Sequence, residues 1–451
     1  MCPIALLLAF LACGSHAFRM QRRSDQSSPS QSLQELLLAL DAVSAFNPSS
    51  PALSARAGKR ALPVMTATLK RPGVSKETKR PQDALGLNRG AQEATSAKGN
   101  VKIYKGREIP TPAGGLRVGT RQVVVITGAS SGLGLNSMKK LCEDGYFVVA
   151  AVRDPQKMHA VAKEMGISRD NYVAMYLELA SLQSVKDFVD NLRIWLPMRS
   201  INHLICNAAV YRPTDPKPAW TDDGFEMSMG INHLGHFLLV QLLLPDLKRA
   251  KNARCCIVGS VTGNSNTIAG SFVKPVADLG ALKGLQAGGD KASAMVSSAA
   301  ETFDGAKAYK DAKALNMITA LEMHRRYHKD TGVVFNSLYP GCICDTELFR
   351  EKLTWFRVAW PKLMKLIGSY VTEKEAGQRL AQVISDPNCD KSGVYWSWNG
   401  NAQQFAFNPS KTGAGGAGGE AFENEFSDMI KDQKNGERAF EYSMEAVKDY
   451  L

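Results

Sequence analysis

The chain has 451 residues, 44% hydrophobic and 22% charged, a globular composition that argues against wholesale disorder, a collagen-like repeat or a small disulfide-stapled module. Its formal net charge is +12, and ten of those charges arise in the first 120 residues, where 17 Lys+Arg face 7 Asp+Glu. The nearly neutral remainder argues against a nucleic-acid-binding domain, which needs clustered basic residues to neutralise phosphates. The basic part belongs to a leader.

Residues 3 to 13, PIALLLAFLAC, form an uncharged apolar run too short to span a bilayer, followed by Ser15 and Ala17 in small-x-small arrangement. The run reads as a signal peptide over 1–17, the alternative being a short buried helix. Residues 18–100 are rich in Ser, Arg, Lys, Pro and Ala, with few acids and one short helical stretch at LQELLLALDAV. They resemble a transit peptide, expected to be largely disordered. Signal plus transit segment resembles the bipartite address of proteins sent into plastids bounded by extra membranes. Residues 101–451 are then the folded domain, and no later apolar run approaches membrane length, so the mature protein is expected to be soluble or peripheral.

From Arg121 onward, seven apolar runs alternate with helical patterns: QVVVI, YFVVAAV, NYVAMYL, HLIC, RCCIVG, GVVFNSL and GVYWSW. Runs that are apolar throughout are buried on both faces, and strand-helix alternation with such strands predicts an α/β fold: one doubly wound Rossmann-type domain with a mainly parallel seven-stranded sheet. The Gly-rich stretch 413–419 reads as a flexible link to a helical segment over 420–451. Seven of the nine cysteines lie beyond residue 120, without CxxC pairs, and two of them are adjacent in an apolar strand. Scattered cysteines of that kind fit a reducing compartment better than a disulfide framework.

The first strand runs into TGASSGLG, with Gly128, Ser130, Ser131, Gly132 and Gly134, and then into a helix. Glycines there allow a sharp turn and close approach to a pyrophosphate, whose charge the helix N-terminus stabilises. At the end of the second strand stands Arg153, with Lys157 one helical turn on, where an NAD-preferring site would carry an acid. Cations there suit a 2′-phosphate, so NADPH is the expected cofactor; Asp154 before Pro155 reads equally well as a helix cap. Glu178 follows the third strand and is placed near the adenine.

Tyr309 and Lys313 lie four apart in KAYKDAKALNM, hence on one helix face. An ordinary phenol titrates near 10, so the neighbouring ammonium is expected to bias Tyr309 towards proton transfer near neutrality. Ser260 ends the fifth strand in VGS, Asn232 lies in the helical stretch after the fourth, and Asn207 stands in CNAA. Capping or turn roles are the plainer reading of Asn232 and Ser260.

Together these residues resemble the short-chain dehydrogenase/reductase family over roughly residues 121 to 400. INHLGHFLL, VGSVTGNSNTIAG, FDGAKAYKDAKALNM, SLYPGCICDTELFR and SGVYWSWN are similar to its light-dependent NADPH:protochlorophyllide oxidoreductase branch. In that branch the stretch between the Ser and Tyr positions is expanded, as it is here over 263–300. The resemblance implies that Tyr309 and Cys342, the Cys of YPGC, deliver a proton or contact the pigment, and that Lys313 supports Tyr309 and holds the nicotinamide ribose. Tyr211, Phe349, Trp355 and Phe356 are counted with Cys342 as pigment contacts. Segment 347–371 is a candidate pigment lid, an amphipathic surface helix, or a basic face towards an anionic plastid membrane. Glu178 and Ala312 depart from the branch's usual Asp and Ser. The implied reaction is light-driven reduction of the protochlorophyllide C17=C18 bond, by a homo-oligomer without nucleic-acid partners. A dark NADPH-dependent carbonyl reductase for a lipophilic substrate and a non-catalytic pigment-NADPH scaffold stay open as alternatives.

Overall fold

The structure, a computed structural model, describes residues 101–104, 107–110, 118–196, 201–271, 273–343, 361–362, 364–365, 368–400 and 416–451. The leader expected over 1–100 lies outside the described residues, as do Phe349, Trp355, Phe356 and most of the lid candidate 347–371.

A hairpin of β1 (Val101–Tyr104) and β2 (Arg107–Pro110) precedes the main sheet. The seven apolar runs become β3 (Val123–Thr127), β4 (Phe147–Val152), β5 (Tyr172–Tyr176), β6 (His203–Cys206), β7 (Arg254–Val258), β8 (Val334–Leu338) and β9 (Val394–Trp398), all parallel. An eighth strand, β10 (Ala421–Asn424), joins β9 antiparallel, and the order across the sheet is β10-β9-β8-β7-β6-β3-β4-β5. The sequence predicts helix from residue 420, whereas the segment opens as this strand. Four residues at a sheet edge carry too little alternation to be read in advance.

Between the strands run α1 (Gly132–Glu143), α2 (Pro155–Glu164), α3 (Leu182–Trp195), α4 (Gly235–Lys248), α5 (Gly305–Met323), α6 (Glu373–Ser385) and α7 (Gln433–Val447). Apolar residues of α1, α2 and α6, among them Met138, Leu141, Met158 and Leu380, pack with Val124, Ile126 and Val148 on one face of the sheet. Phe188 of α3, Phe237 of α4, Met317 of α5 and Phe440 of α7 pack with Val125, Val149 and Phe335 on the other. Burial on both faces is why these strands are apolar throughout. Local chemistry sets the helix starts: Asp154, Ser181, Asp304 and Thr372 each accept a backbone N–H in the first turn of α2, α3, α5 and α6.

The C-terminal segment packs against the layer that contains α4. Ser443 Oγ is 2.8 Å from His233 Nε2, the Phe440 and Phe237 rings lie 5.4 Å apart, and the Tyr450 hydroxyl donates to Asp223 Oδ1 at 2.8 Å. The cysteines among the described residues are free thiols, all buried except half-buried Cys342.

Candidate active site

Every motif residue after a parallel strand emerges at the same edge of the sheet. Gly128 follows β3, Arg153 follows β4, Glu178 follows β5, Asn207 follows β6, Ser260 follows β7 and Cys342 follows β8. The strand order reverses between β3 and β6, and a crevice at such a switch point, outside the carboxyl ends of the strands, is where this architecture binds ligands.

The Gly-rich turn fits a pyrophosphate sterically and electrically. Gly128 has φ +69°, and a Cβ there would sit 3.0 Å from Ala208 Cα. A Cβ on Gly134 would overlap the Gly128 carbonyl oxygen and the Asn207 amide. Ser131 occupies the N-cap of α1 without a side-chain cap bond, Ser130 is half-buried, and no acid stands in the first turn. The N-terminal amides therefore face the crevice uncapped, a natural anion site. Arg153 is exposed and makes no ion pair among the described residues, while Lys157 is exposed one turn later. Asp154 does cap α2, accepting the Lys157 amide at 2.9 Å. The cap and the cations coexist, so the two sequence readings of this stretch are compatible. Glu178 turns back on itself, its carboxylate accepting the Ala180 amide at 3.0 Å.

Asn207 braces the turn from behind: its Nδ2 donates to the Thr127 carbonyl at 2.9 Å. The amides of Asn207 and Ala208 both donate to the Thr127 hydroxyl, at 2.9 and 3.0 Å. That hydroxyl lies 2.8 Å from His236 Nε2, and His236 Nδ1 lies 3.1 Å from the Asn232 carbonyl. A carbonyl only accepts, so Nδ1 carries the proton and Nε2 accepts from Thr127. Burial lowers the His236 pKa to about 4, which keeps the ring neutral and the chain of bonds in one direction. Sequence reasoning passed over Thr127 and His236, although His236 stands four residues past Asn232, on the same helical face.

Asn232 itself is fully buried in the π-helical turn Ser228–Leu234. Its side chain accepts the Val210 amide at 2.8 Å and donates to the Val210 carbonyl at 3.0 Å. Asn232 is expected among the catalytic residues; here its side chain is engaged by the main chain of the segment that carries Asn207 and Tyr211. Ser260 accepts the Thr262 amide at 3.2 Å as a helix cap, and its hydroxyl lies 2.9 Å from that of Thr262.

Tyr309 is half-buried, its ring 4.7 Å from that of Tyr211. Desolvation pushes the Tyr309 phenol well above its ordinary pKa, and Tyr211 adds to the rise while nearby Ser260 opposes it. Burial likewise carries Tyr211 to about 12. Lys313 Nζ is buried 5.9 Å from the Tyr309 ring centre and donates to the Val258 carbonyl at 2.9 Å. Burial brings its pKa down to about 8. The expected lowering of the phenol does not follow: desolvation is the main cause acting on each group, raising Tyr309 and lowering Lys313. A phenol held protonated is a proton donor, and a lysine near neutrality can resupply it.

Three further residues of α5 hold the expanded stretch. Lys310 Nζ donates to the carbonyls of Val273 and Pro275 at 2.5 and 2.6 Å. Lys307 Nζ donates to the Asp278 carbonyl at 2.8 Å and to Asp311 Oδ2 at 2.7 Å, and Asp311 Oδ1 accepts the Asp278 amide at 2.9 Å. Lys310 and Asp311 lie between the Tyr and the Lys of YKDAK, and Lys307 two residues before it, where spacing identified only Tyr309 and Lys313. Cys342, beyond β8, forms a parallel bridge with Tyr370, its carbonyl accepting the Val371 amide at 3.0 Å.

The short-chain dehydrogenase family model matches residues 122–272. A protochlorophyllide reductase of Avena sativa is 49% identical over 331 residues, covering 72% of this chain and 99% of that protein. The chain belongs to the protochlorophyllide reductases of the short-chain dehydrogenase family. A chloroplastic protochlorophyllide reductase of Cucumis sativus is 49% identical over 328 residues, covering 72% of this chain and 77% of that protein. Protochlorophyllide reductase A of Oryza sativa subsp. japonica, also chloroplastic, is 48% identical over 353 residues, covering 76% and 87%. At the level of fold alone, an uncharacterised protein of Mycobacterium paratuberculosis superposes with a TM-score of 0.50 at 23% identity, covering 75% of this chain and 97% of that one. The chain is therefore an oxidoreductase that uses a nicotinamide cofactor.

Proposed function

We propose that this protein reduces the C17=C18 bond of protochlorophyllide to give chlorophyllide, driven by light and using NADPH, inside a plastid. The observation that carries the reading is a grouping: Tyr309, a half-buried phenol whose surroundings raise its pKa, stands with Ser260 and Lys313 at the sheet edge where the cofactor turn and Cys342 also emerge.

Gly128, Gly132 and Gly134 with the amides of α1 would hold the pyrophosphate, Arg153 and Lys157 the 2′-phosphate, and Lys313 the nicotinamide ribose. NADPH supplies the hydride when bound. The C17=C18 bond has no carbonyl oxygen to take developing charge, so protein dipoles alone are poorly matched to it. Light absorbed by the pigment provides the driving force, and the chain's share is orientation, water exclusion and a proton. Tyr309 gives its phenolic proton to C18, and Lys313 restores it. Tyr211, in ring contact with Tyr309, and Cys342 face the pigment.

Homologous reductases carry chloroplastic names, and the signal-plus-transit pattern of residues 1–100 fits a plastid reached through extra membranes. Self-association and peripheral contact with plastid lipid belong to the same proposal. No helix among the described residues is long and apolar enough to cross a membrane.

The test is illumination of the purified protein with NADPH and protochlorophyllide against a dark control. Chlorophyllide formed only in the light supports the reading; reduction in the dark, or turnover of a lipophilic carbonyl compound instead, overturns it. Flash spectroscopy of Cys342→Ser, with altered pigment spectrum but an unimpaired proton step, separates its role from that of Tyr309.

A further inference from the structure

Helix α6 buries one arginine on the face it turns to the sheet. Arg379 Nη1 donates to the Pro340 carbonyl at 2.9 Å. Its Nη2 donates to Glu375 Oε1 at 2.8 Å and to the carbonyls of Gly416 and Gly418 at 2.7 and 2.9 Å. The guanidinium carbon lies 5.2 Å from the Trp398 ring centre. Glu375, one turn earlier, also accepts the Gly418 amide at 2.6 Å. A buried cation is costly unless its donors are filled, and here three of the four acceptors are main-chain oxygens from two stretches remote in sequence.

Those oxygens decide what the arginine does. Pro340 stands two residues before Cys342, and the turn between them is pinned at both ends, by Arg379 on the Pro340 carbonyl and by the Val371 amide on the Cys342 carbonyl. Gly341 between them has φ +122°, open only to glycine, and a Cβ there would lie 2.9 Å from Arg379 Nη1. The turn thus has little freedom of its own once both carbonyls are held.

We infer that Arg379, completed by Glu375, is the positioning residue for Cys342: it fixes the Pro340-Gly341-Cys342 turn against residues 416–418 and so sets where the thiol stands towards the pigment. The pigment-side consequence rests on the proposed function; the placement of the thiol does not. Lysine cannot replace it, because a single ammonium cannot fork to separated carbonyls.

The experiment uses the full chain with Arg379→Lys and Glu375→Gln. Three quantities are measured: NADPH affinity, the rate at which N-ethylmaleimide alkylates the Cys342 peptide resolved by mass spectrometry, and the absorption band of protochlorophyllide bound with NADPH. For Arg379→Lys the expected result is NADPH affinity within about twofold of wild type, a Cys342 alkylation rate changed about tenfold, a displaced pigment band and a loss in kcat larger than the change in KM. Glu375→Gln is expected to change the same readouts in the same direction by a smaller factor. Wild-type alkylation and an undisplaced band in an Arg379→Lys protein that binds NADPH overturn the assignment. Should Arg379→Lys lose NADPH binding as well, Glu375→Gln decides: an altered Cys342 rate supports the inference and an unaltered one overturns it. Alkylation needs neither light nor pigment, so failure of photoreduction is distinguishable from failure of this inference.

Discussion

Between Thr127 and Asn207 the cofactor side of the crevice is fixed by neutral hydrogen bonds and close backbone packing, whereas the side between Ser260 and Cys342 is fixed by buried charged groups. On the first side the Thr127 hydroxyl, neutral His236 and the Asn207 amide interlock around glycines with no room for a side chain. On the second, Lys310, Asp311, Lys313 and Arg379 reach from two helices to main-chain oxygens or amides remote in sequence. A neutral lock is indifferent to pH and intolerant of volume. A charged lock spans longer gaps, carries a desolvation cost and responds to protonation.

The sharpest way to break the neutral side is volume. Gly134→Val would drive its side chain into the Gly128 carbonyl and the Asn207 amide, with no flexible neighbour to yield. The expected outcome is loss of cofactor binding by about a hundredfold or more, with destabilisation of about 1–3 kcal/mol. Titration of cofactor fluorescence and urea unfolding check both, and near-wild-type affinity would show that the turn does not hold the pyrophosphate.

On the charged side, Tyr309→Phe keeps the ring against Tyr211 and removes the hydroxyl. Flash-induced hydride transfer is expected to persist while protonation of C18 slows by about 10²–10⁴; an unchanged proton step would move the donor role to Cys342. Lys313→Met sharpens the contrast. Burial lowers the ammonium to about 8 from the unfolded 10.5, so at pH 7 the folded state bears a desolvation cost, relieved as pH rises through that window. Removing the charge is expected to abolish turnover yet raise stability by about 1–2 kcal/mol, read by thermal unfolding of the variant against wild type.

Arg153→Ala tests the cofactor side by charge instead of volume. A guanidinium grips a phosphate in charge-assisted bonds of about 1.5–3 kcal/mol, so NADPH affinity is expected to fall about tenfold or more and NADH affinity to stay level. Equal losses for the two cofactors would remove Arg153 from the 2′-phosphate site.

The neutral side was also the more legible. A glycine-rich turn declares itself because sterics dictate residue type at fixed spacing, and continuous apolar runs declared all seven parallel strands. Tyr309, Lys313 and Ser260 were legible through spacing and strand ends. Arg379 left no local mark: a lone Arg in AGQRLAQV looks like an exposed helix residue, and its partners lie about 40 residues away on either side. Lys307 and Asp311 form an i,i+4 pair that a sequence can show, but the loop carbonyls and amide that they and Lys310 also hold are encoded by no side-chain pattern. Strand β10 was hidden for a related reason, since its pairing with β9 depends on a long-range contact and not on alternation within four residues.

The smallest expected effect concerns the clamp on the expanded loop. Burial is the main cause that raises Asp311 from 3.8 to about 7, opposed by the ammonium of Lys307 and the Asp278 amide and assisted by Glu301. Because the folded carboxyl holds its proton to higher pH than the unfolded one, the folded state binds more protons between about 4 and 7. Stability therefore falls as pH rises through that window, by at most about 1.4 kcal/mol per pH unit for one group. Glu226, buried beneath the π-helical turn and raised to about 7 by burial, adds a slope of the same sign. The buried histidines, lowered from 6.5 by burial, act with the opposite sign, so the readout is the difference: Asp311→Asn, whose amide oxygen can still accept the Asp278 amide, is expected to gain urea midpoint relative to wild type as pH rises from 5 to 7, with cofactor affinity unchanged. Parallel curves for variant and wild type would mean that the Lys307 ammonium keeps Asp311 ionised throughout, making the clamp a permanent ion pair and erasing the difference in pH response between the two sides of the crevice at this position.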